Sequence, residues 1–309
     1  MQRLFILLIL FVSPLFAEDL PILWLEAGKE NECGDVVHEP LPQDWTLRFE
    51  HRILDQGKIH EDRHVQAQEH RTLKIKPPPL KPGVMLKAKL FIGDKPYREV
   101  VIASPDPFED RKEWFDKHPI ALYDPEKTTI KIFEEEKIPF DRILCIPDLE
   151  DVFAIIVIGQ HIDFDKEKGL AKLLFQKAAE GCPVLVAAPM GDIPLDYHPA
   201  IYSLTLSAEA KYLFPLATGR RCGNQWALQA RGDQLFLVQN SAVPYGYGSE
   251  AFKVGTAGPS ILDIRFAAAQ ESQSTQPVGR IVFDSNLRFF ENIESRWYFK
   301  SLIETLTKK

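Results

Sequence analysis

The segment Asp151–Asp192 constrains this chain more than any other. It reads DVFAIIVIGQHIDF, then an amphipathic run, then GCPVLVAAPMGD. The apolar residues Phe153–Ile158 stop at Gly159–Gln160, and Pro183–Ala187 stop at a turn containing Gly191. Between them, Lys166–Gly181 places Leu170, Leu173, Leu174, Lys177 and Ala178 at i, i+3, i+4 spacing and closes on Gly181, a helix with a glycine cap. Continuous apolar strands joined by helices imply a parallel sheet covered on both faces. Open sheets of that kind bind ligands outside the carboxyl ends of their strands. The expected crevice is therefore lined by Gly159, Gln160, His161, Asp163, Pro189, Met190, Gly191 and Asp192. Turn formation and helix capping also account for Gly and Asp at such positions.

The same grammar extends to both sides. Pro119–Tyr123, Arg142–Ile146 and Arg280–Asp284 read as strands. Asp124–Ile138 reads as a helix with Asp124 as its N-cap and Pro125 at its first position. A terminal helix starts near Glu294 with Phe299, Leu302, Ile303 and Leu306 on one stripe. Residues 192–283 give shorter strands at Ser203–Ser207, Trp226–Ala230 and Leu235–Asn240, with Gln270–Pro277 a polar loop.

From about Leu20 to Ala103 the pattern changes to period two. Thr46–Leu54, Arg71–Lys76, Val84–Ile92 and Arg98–Ala103 read as strands punctuated by prolines. On the third of these, Val84, Leu86, Ala88, Leu90 and Ile92 share one face. Short antiparallel strands with one buried face each are solved by a β-sandwich. The expected organisation is a signal peptide at residues 1–17, a β-sandwich at 18–103, a linker at 104–118 and an α/β domain at 119–309.

The first seventeen residues carry Arg3, an apolar run from Leu4 to Val12 and Ala17 before Glu18, the pattern of a secretory signal. Leu15 fits the small-x-small cleavage rule poorly, which leaves slow cleavage or an uncleaved anchor open. The expectation is export to the periplasm or beyond, with no stable membrane insertion after cleavage. Loss of Arg3 leaves 36 basic against 44 acidic residues in the mature chain, a balance that disfavours nucleic acid as a partner. Cys145 and Cys182 fall within expected strands as buried small hydrophobes. A Cys33–Cys222 bridge remains open, since spacing cannot test it.

The order strand, glycine turn, helix, strand and turn in Ala154–Gly191 resembles the class I glutamine amidotransferase-like fold. In that family a strand ends in a double-Gly turn, matched here by Ile158–Gly159–Gln160, and a later strand enters an elbow of the type Gly-x-Cys-x-Gly. The corresponding stretch is Ala187–Ala188–Pro189–Met190–Gly191, with Pro189 at the nucleophile's place. The family's downstream His-x-Glu pair has no match, because His198 is the only later histidine. The RIVFDSN strand and terminal helix add to a likeness covering residues 119–306, often found fused to a β-sandwich in exported proteins. The resemblance implies an α/β fold class: an Ig-like β-sandwich, then a flavodoxin- or amidotransferase-like parallel sheet with helices on both faces. It also implies loss of the chemistry, because a nucleophile needs a thiol or hydroxyl beside a base.

Two other constellations compete. HEDRHVQAQEH at His60–His70 matches the H-E-x-x-H zinc signature through His60, Glu61 and His64, with His70 as a third ligand. On a helix, histidines at i and i+4 share a face and the glutamate can act on a metal-bound water. The segment is mostly polar, however, and lies among strands, so a His-rich loop or strand edge explains it as well. Trp226, Tyr245 and Tyr247, near flexible glycines, could stack on sugar rings; Asp106, Glu109 and Asp110 beside Arg111 read as a charged linker, and Glu134–Glu136 as a solvated helix face. The resulting expectation is an exported binding or assembly protein without cofactor, its partner a small molecule, a glycan or another protein. A zinc hydrolase and a carbohydrate-binding protein are the alternatives.

Overall fold

The structure, a computed structural model, describes residues 22–37, 44–58, 60–65, 68–195, 201–207, 225–231, 234–240, 261–267, 277–285 and 287–308. The expected signal peptide, the polar loop before Pro277 and the Tyr245–Tyr247 loop lie outside the described residues, as does Cys222. No described helix is long and apolar enough to cross a membrane.

The chain opens with β1 (Leu23–Glu26), β2 (Asn31–Val37), β3 (Asp44–Phe49), β4 (Arg52–Lys58), β5 (His60–Val65), β6 (Gln68–Ile75), β7 (Met85–Ile92) and β8 (Lys95–Ala103). They form a five-stranded sheet in the order β1-β8-β7-β3-β4 and a three-stranded sheet in the order β2-β6-β5. β1 runs parallel to β8, and the remaining pairs are antiparallel. Alternation on β7 sends Ala88, Leu90 and Ile92 into a core shared with Leu25, Trp45, Leu47, Val100 and Ile102, which Leu73 and Ile75 of the smaller sheet cover. Val84 lies just before the strand and is exposed. The stretch expected as one strand, Thr46–Leu54, is instead the β3–β4 hairpin. It folds back at Glu50, whose φ of 51° is left-handed without the glycine or asparagine that usually signals such a turn.

After Ala103 come α1 (Arg111–Lys117), β9 (Ile120–Tyr123), α2 (Thr128–Glu135), β10 (Asp141–Ile143), β11 (Ile155–Ile158), α3 (Leu170–Ala179), β12 (Val184–Ala187), β13 (Ile193–Pro194), β14 (Ile201–Ser207), β15 (Gln225–Arg231), β16 (Gln234–Asn240), β17 (Ile261–Ala267), β18 (Pro277–Asp284) and α4 (Ile293–Thr307). The fold is mixed α/β. A seven-stranded sheet runs β10-β9-β11-β12-β18-β17-β14, and β13-β16-β15 form a small antiparallel sheet. The first five strands of the large sheet are parallel, whereas β17 pairs antiparallel with both β18 and β14. The four inner strands β9, β11, β12 and β18 alternate between two cores. Leu122, Val157, Leu185 and Val282 pack with residues of α1, α2 and α4. Ala121, Ile156, Ile158, Val184, Val186 and Phe283 pack under α3. Full burial of each such aliphatic or aromatic side chain is worth about 1.5–3 kcal/mol, which fixes the register of the sheet.

α3 is stopped by a Schellman arrangement: the Gly181 amide donates to the Ala178 carbonyl at 3.1 Å and the Cys182 amide to the Lys177 carbonyl at 3.0 Å, with Gly181 at φ 102°. Its start differs from expectation. Residues 166–169 are turns and the helix begins at Leu170 after Gly169, because the Lys166 and Glu167 amides both donate to the Asp163 carbonyl at 3.0 Å. The stretch 104–118 is packed. Phe108 and Phe115 are buried among α4 residues, and the Trp297 indole N–H donates to the Ser104 carbonyl at 3.0 Å. β8 is thereby buried on both faces, with Val100 and Ile102 toward the first core and Val101 and Ala103 toward α4.

Two further expectations are corrected. Asp124 does not cap α2 as its adjacent residue; Lys127, at φ 58°, takes the N-cap position and Asp124 reaches across a turn. The Arg142–Ile146 strand ends at Ile143. Pro147 then opens a 3₁₀ turn over Ile146–Asp151, so Cys145 is exposed instead of buried, while Cys182 is buried as expected.

Candidate functional site

Across the parallel strands the order of appearance along the chain is second, first, third, fourth, fifth. The chain leaves β9 through α2 toward one edge and leaves β11 through α3 toward the other, on opposite faces. The carboxyl ends of β9 and β11 therefore form the switch point where such sheets open a crevice. Asp124 follows the first strand and Gly159 the second, held together by the Gly159 amide donating to the Tyr123 carbonyl at 2.9 Å.

Asp124 is 1% exposed. Its Oδ2 accepts from the Ile130 amide in the first turn of α2 at 2.8 Å, whereas its Oδ1 has no hydrogen-bond partner among the described residues. A buried acceptor left unmade costs on the order of 1–3 kcal/mol, and more when charged. The carboxylate lies flat against Gly159: a Cβ there would stand 2.9 Å from Cγ and 3.0 Å from Oδ1 of Asp124. Glycine at 159 is thus required by close approach. Two more buried polar side chains converge. The Gln160 amide donates to Thr129 Oγ1 at 2.8 Å, and the Gln160 carboxamide donates to the Leu287 carbonyl over a long 3.4 Å.

The turns after β11 and β12 are zipped together. The His161 amide donates to the Ala188 carbonyl at 3.0 Å, the Met190 amide to Ile162 at 2.8 Å and the Phe164 amide to Met190 at 2.9 Å. The Ala188 amide in turn donates to the Asp284 carbonyl of β18 at 2.7 Å. Two non-glycine residues, His161 at φ 64° and Ala188 at φ 39°, sit in the left-handed region where these turns meet. Backbone conformations of that kind cost on the order of 1–3 kcal/mol and cluster at functional sites.

The eight expected crevice residues thus fall into two groups. Gly159 and Gln160 are buried beside Asp124 and Thr129 and Pro189 is buried in the turn after β12, while His161 and Met190 are exposed. Asp163, Gly191 and Asp192 make a separate knot: a Cβ on Gly191 would meet Asp165 Oδ2 at 2.8 Å and Asp163 Oδ1 at 2.9 Å, so its φ of 79° and lack of side chain are both needed. The Lys166 ammonium, 3.2 Å from Asp163 Oδ2, holds that carboxyl below the usual range. Beneath it, burial and then the Glu167 carboxylate, 2.6 Å away, push the Tyr123 phenol well above its ordinary value.

The zinc expectation loses its helix. His60 and His64 lie on β5 and His70 on β6, with His60 opposite Thr72, His64 opposite Glu69 and His70 opposite Arg63. Residues four apart on a strand are separated by roughly 13 Å, against 5–6 Å on a helix face. An irregularity between Glu61 and Arg63 also shifts the register, placing His64 out of phase with His60 and His70 in the ladder. Among the described residues no group of three or more His, Cys, Asp or Glu is arranged to hold a metal. Trp226 is on β15. Asp106 pairs with Arg111 at 3.2 Å and Asp110 caps α1 by accepting from the Glu113 amide at 2.9 Å, while Glu136 pairs with Arg296 of α4 at 2.7 Å.

Sequence reasoning missed Asp124 as a site residue, together with Thr129. The available signal was positional: Asp124 ends the apolar run of β9 as Gly159 ends that of β11.

No family model matches the chain. No curated protein matches it. Among solved structures, the crystal structure of an amylomaltase from Corynebacterium glutamicum is similar over 55% of this chain and 21% of its own, at 14% identity and a TM-score of 0.22. The likeness spans about a fifth of that enzyme and at this TM-score carries no argument about fold or activity.

Proposed function

We propose that this is an exported binding or assembly protein. It would carry an amidotransferase-like α/β domain without a nucleophile behind an Ig-like β-sandwich, and would use the crevice at the carboxyl ends of β9, β11 and β12. The observation that carries the reading is the turn after β12. A nucleophile elbow sets its reactive residue at a strained strand-to-helix turn. Here the left-handed position is held by Ala188, followed by buried Pro189, and the chain proceeds to β13 without a helix. Neither side chain offers a thiol or hydroxyl, and no helix N-terminus stands there to stabilise an oxyanion. The second, first, third, fourth, fifth strand order supports a flavodoxin-like sheet, and the buried polar groups converging on Gly159 support binding over turnover. The purified chain is expected to release no ammonia from glutamine. Release that co-purifies with the protein and falls on substitution of Gln160 or His161 would overturn the non-catalytic reading.

A further inference from the structure

Doubly wound sheets hold anions at their switch point because the amides of a helix N-terminus point there and its dipole favours negative charge. In this chain the position is already occupied from within: the Ile130 amide in the first turn of α2 donates to Asp124 Oδ2 at 2.8 Å. The partner atom Oδ1 is buried and unpaired among the described residues, 3.0 Å from where a Cβ on Gly159 would stand. We propose that this crevice excludes phosphate- and carboxylate-bearing ligands and takes a small molecule that presents an ammonium or hydroxyl donor to Asp124 Oδ1. The inference rests on the binding reading above and deepens it by naming the ligand's chemistry.

An anionic group brought to Oδ1 adds a second set of acceptors beside a buried carboxylate and supplies no donor, so repulsion is uncompensated. A donor completes the unmade bond, and one that carries positive charge also neutralises the buried carboxylate. Gly159 contributes by leaving the space that the Asp124 carboxyl occupies, since a Cβ there would stand 3.0 Å from Oδ1. The neighbouring Gln160 carboxamide is held only by a long 3.4 Å donation to the Leu287 carbonyl.

Amide chemical-shift mapping with two probes, ethanolamine and inorganic phosphate, tests the proposal on the full chain and on D124N and D124G. Ethanolamine is expected to move the Asp124, Gly159 and Gln160 signals of the unsubstituted protein, with affinity about tenfold lower in D124N, equivalent to about 1.4 kcal/mol. Phosphate is expected to leave the unsubstituted protein unchanged and to move the Thr128, Thr129 and Ile130 signals of D124G, whose helix end is vacated. Should D124G not fold, the ethanolamine comparison with D124N still decides. Phosphate shifts at the switch point of the unsubstituted protein, or equal ethanolamine affinity in D124N, overturn the inference. Shifts confined to His161 and Met190 sink it while sparing the crevice reading, and no shift at any of these residues with either probe sinks both.

Discussion

Asp124 and Asp284 stand at the carboxyl ends of two parallel strands of one sheet, and both are sealed from water. Asp284 is built in: the Tyr298 hydroxyl donates to its Oδ2 at 2.8 Å from the middle of α4. Asp124 shares its burial and its position but keeps one oxygen unpaired among the described residues. Burial of a carboxylate alone therefore does not mark a site in this fold. What separates the two is whether the surrounding chain completes the hydrogen bonding. A third aspartate sets the scale, since Asp263 on β17 receives both forks of Arg280 at 2.7 Å and is as closed a pair as the sheet contains among its described residues.

The largest expected effect belongs to that reference pair. Asp263→Ala strands a largely buried guanidinium and is expected to cost about 3–5 kcal/mol in urea unfolding. A loss under about 1 kcal/mol would remove the scale against which the other two aspartates are compared. Next comes Tyr298→Phe, which deletes a hydrogen bond to a buried carboxylate and is expected to cost about 1.5–3 kcal/mol by the same measurement. Asp124→Asn is expected to stay within about 1 kcal/mol of the unsubstituted protein, because the amide oxygen still accepts from Ile130 and the buried charge is gone. If it costs as much as Tyr298→Phe, the contrast between the two aspartates fails.

The smallest effect is a matter of pH. The Lys166 ammonium lowers the Asp163 carboxyl, so that carboxylate stabilises the fold above its unfolded value of about 4 and the contribution fades as pH falls through the lower folded value. Lys166→Met should therefore lower stability slightly at neutral pH, leave it unchanged at pH values below the folded titration, and so flatten the acid limb between the two. An unchanged acid limb would show that the knot around Gly191 does not depend on this pair.

The parallel strands were legible because apolar runs such as Ile155–Ile158 are buried on both faces and need no periodic signal. The crevice turns were legible for the same reason, since each begins where such a run stops. The β3–β4 hairpin was not, because its turn at Glu50 uses a left-handed residue with no glycine to announce it. The His60–His70 ribbon was read through a helical motif although its pairing is decided by β6, whose Leu73 and Ile75 enter the core. Cys145 was read into a strand that Pro147 cuts short. Asp124 was the most instructive miss. Asp-Pro after a strand reads locally as a helix cap, yet its unpaired oxygen depends on Gly159, which only the sheet order brings alongside. Local propensity has no access to such a contact.

The most direct test asks where small polar molecules land. Amide shifts of the chain titrated with a mixture of neutral and cationic donor fragments are predicted to cluster on Asp124, Gly159, Gln160 and Ala188. The main competitor is the groove of about 490 Å³ on the five-stranded sheet, lined by Arg48, Lys87, Lys89 and Phe91. Shifts gathering there, with the carboxyl ends of β9, β11 and β12 unmoved, would contradict the account.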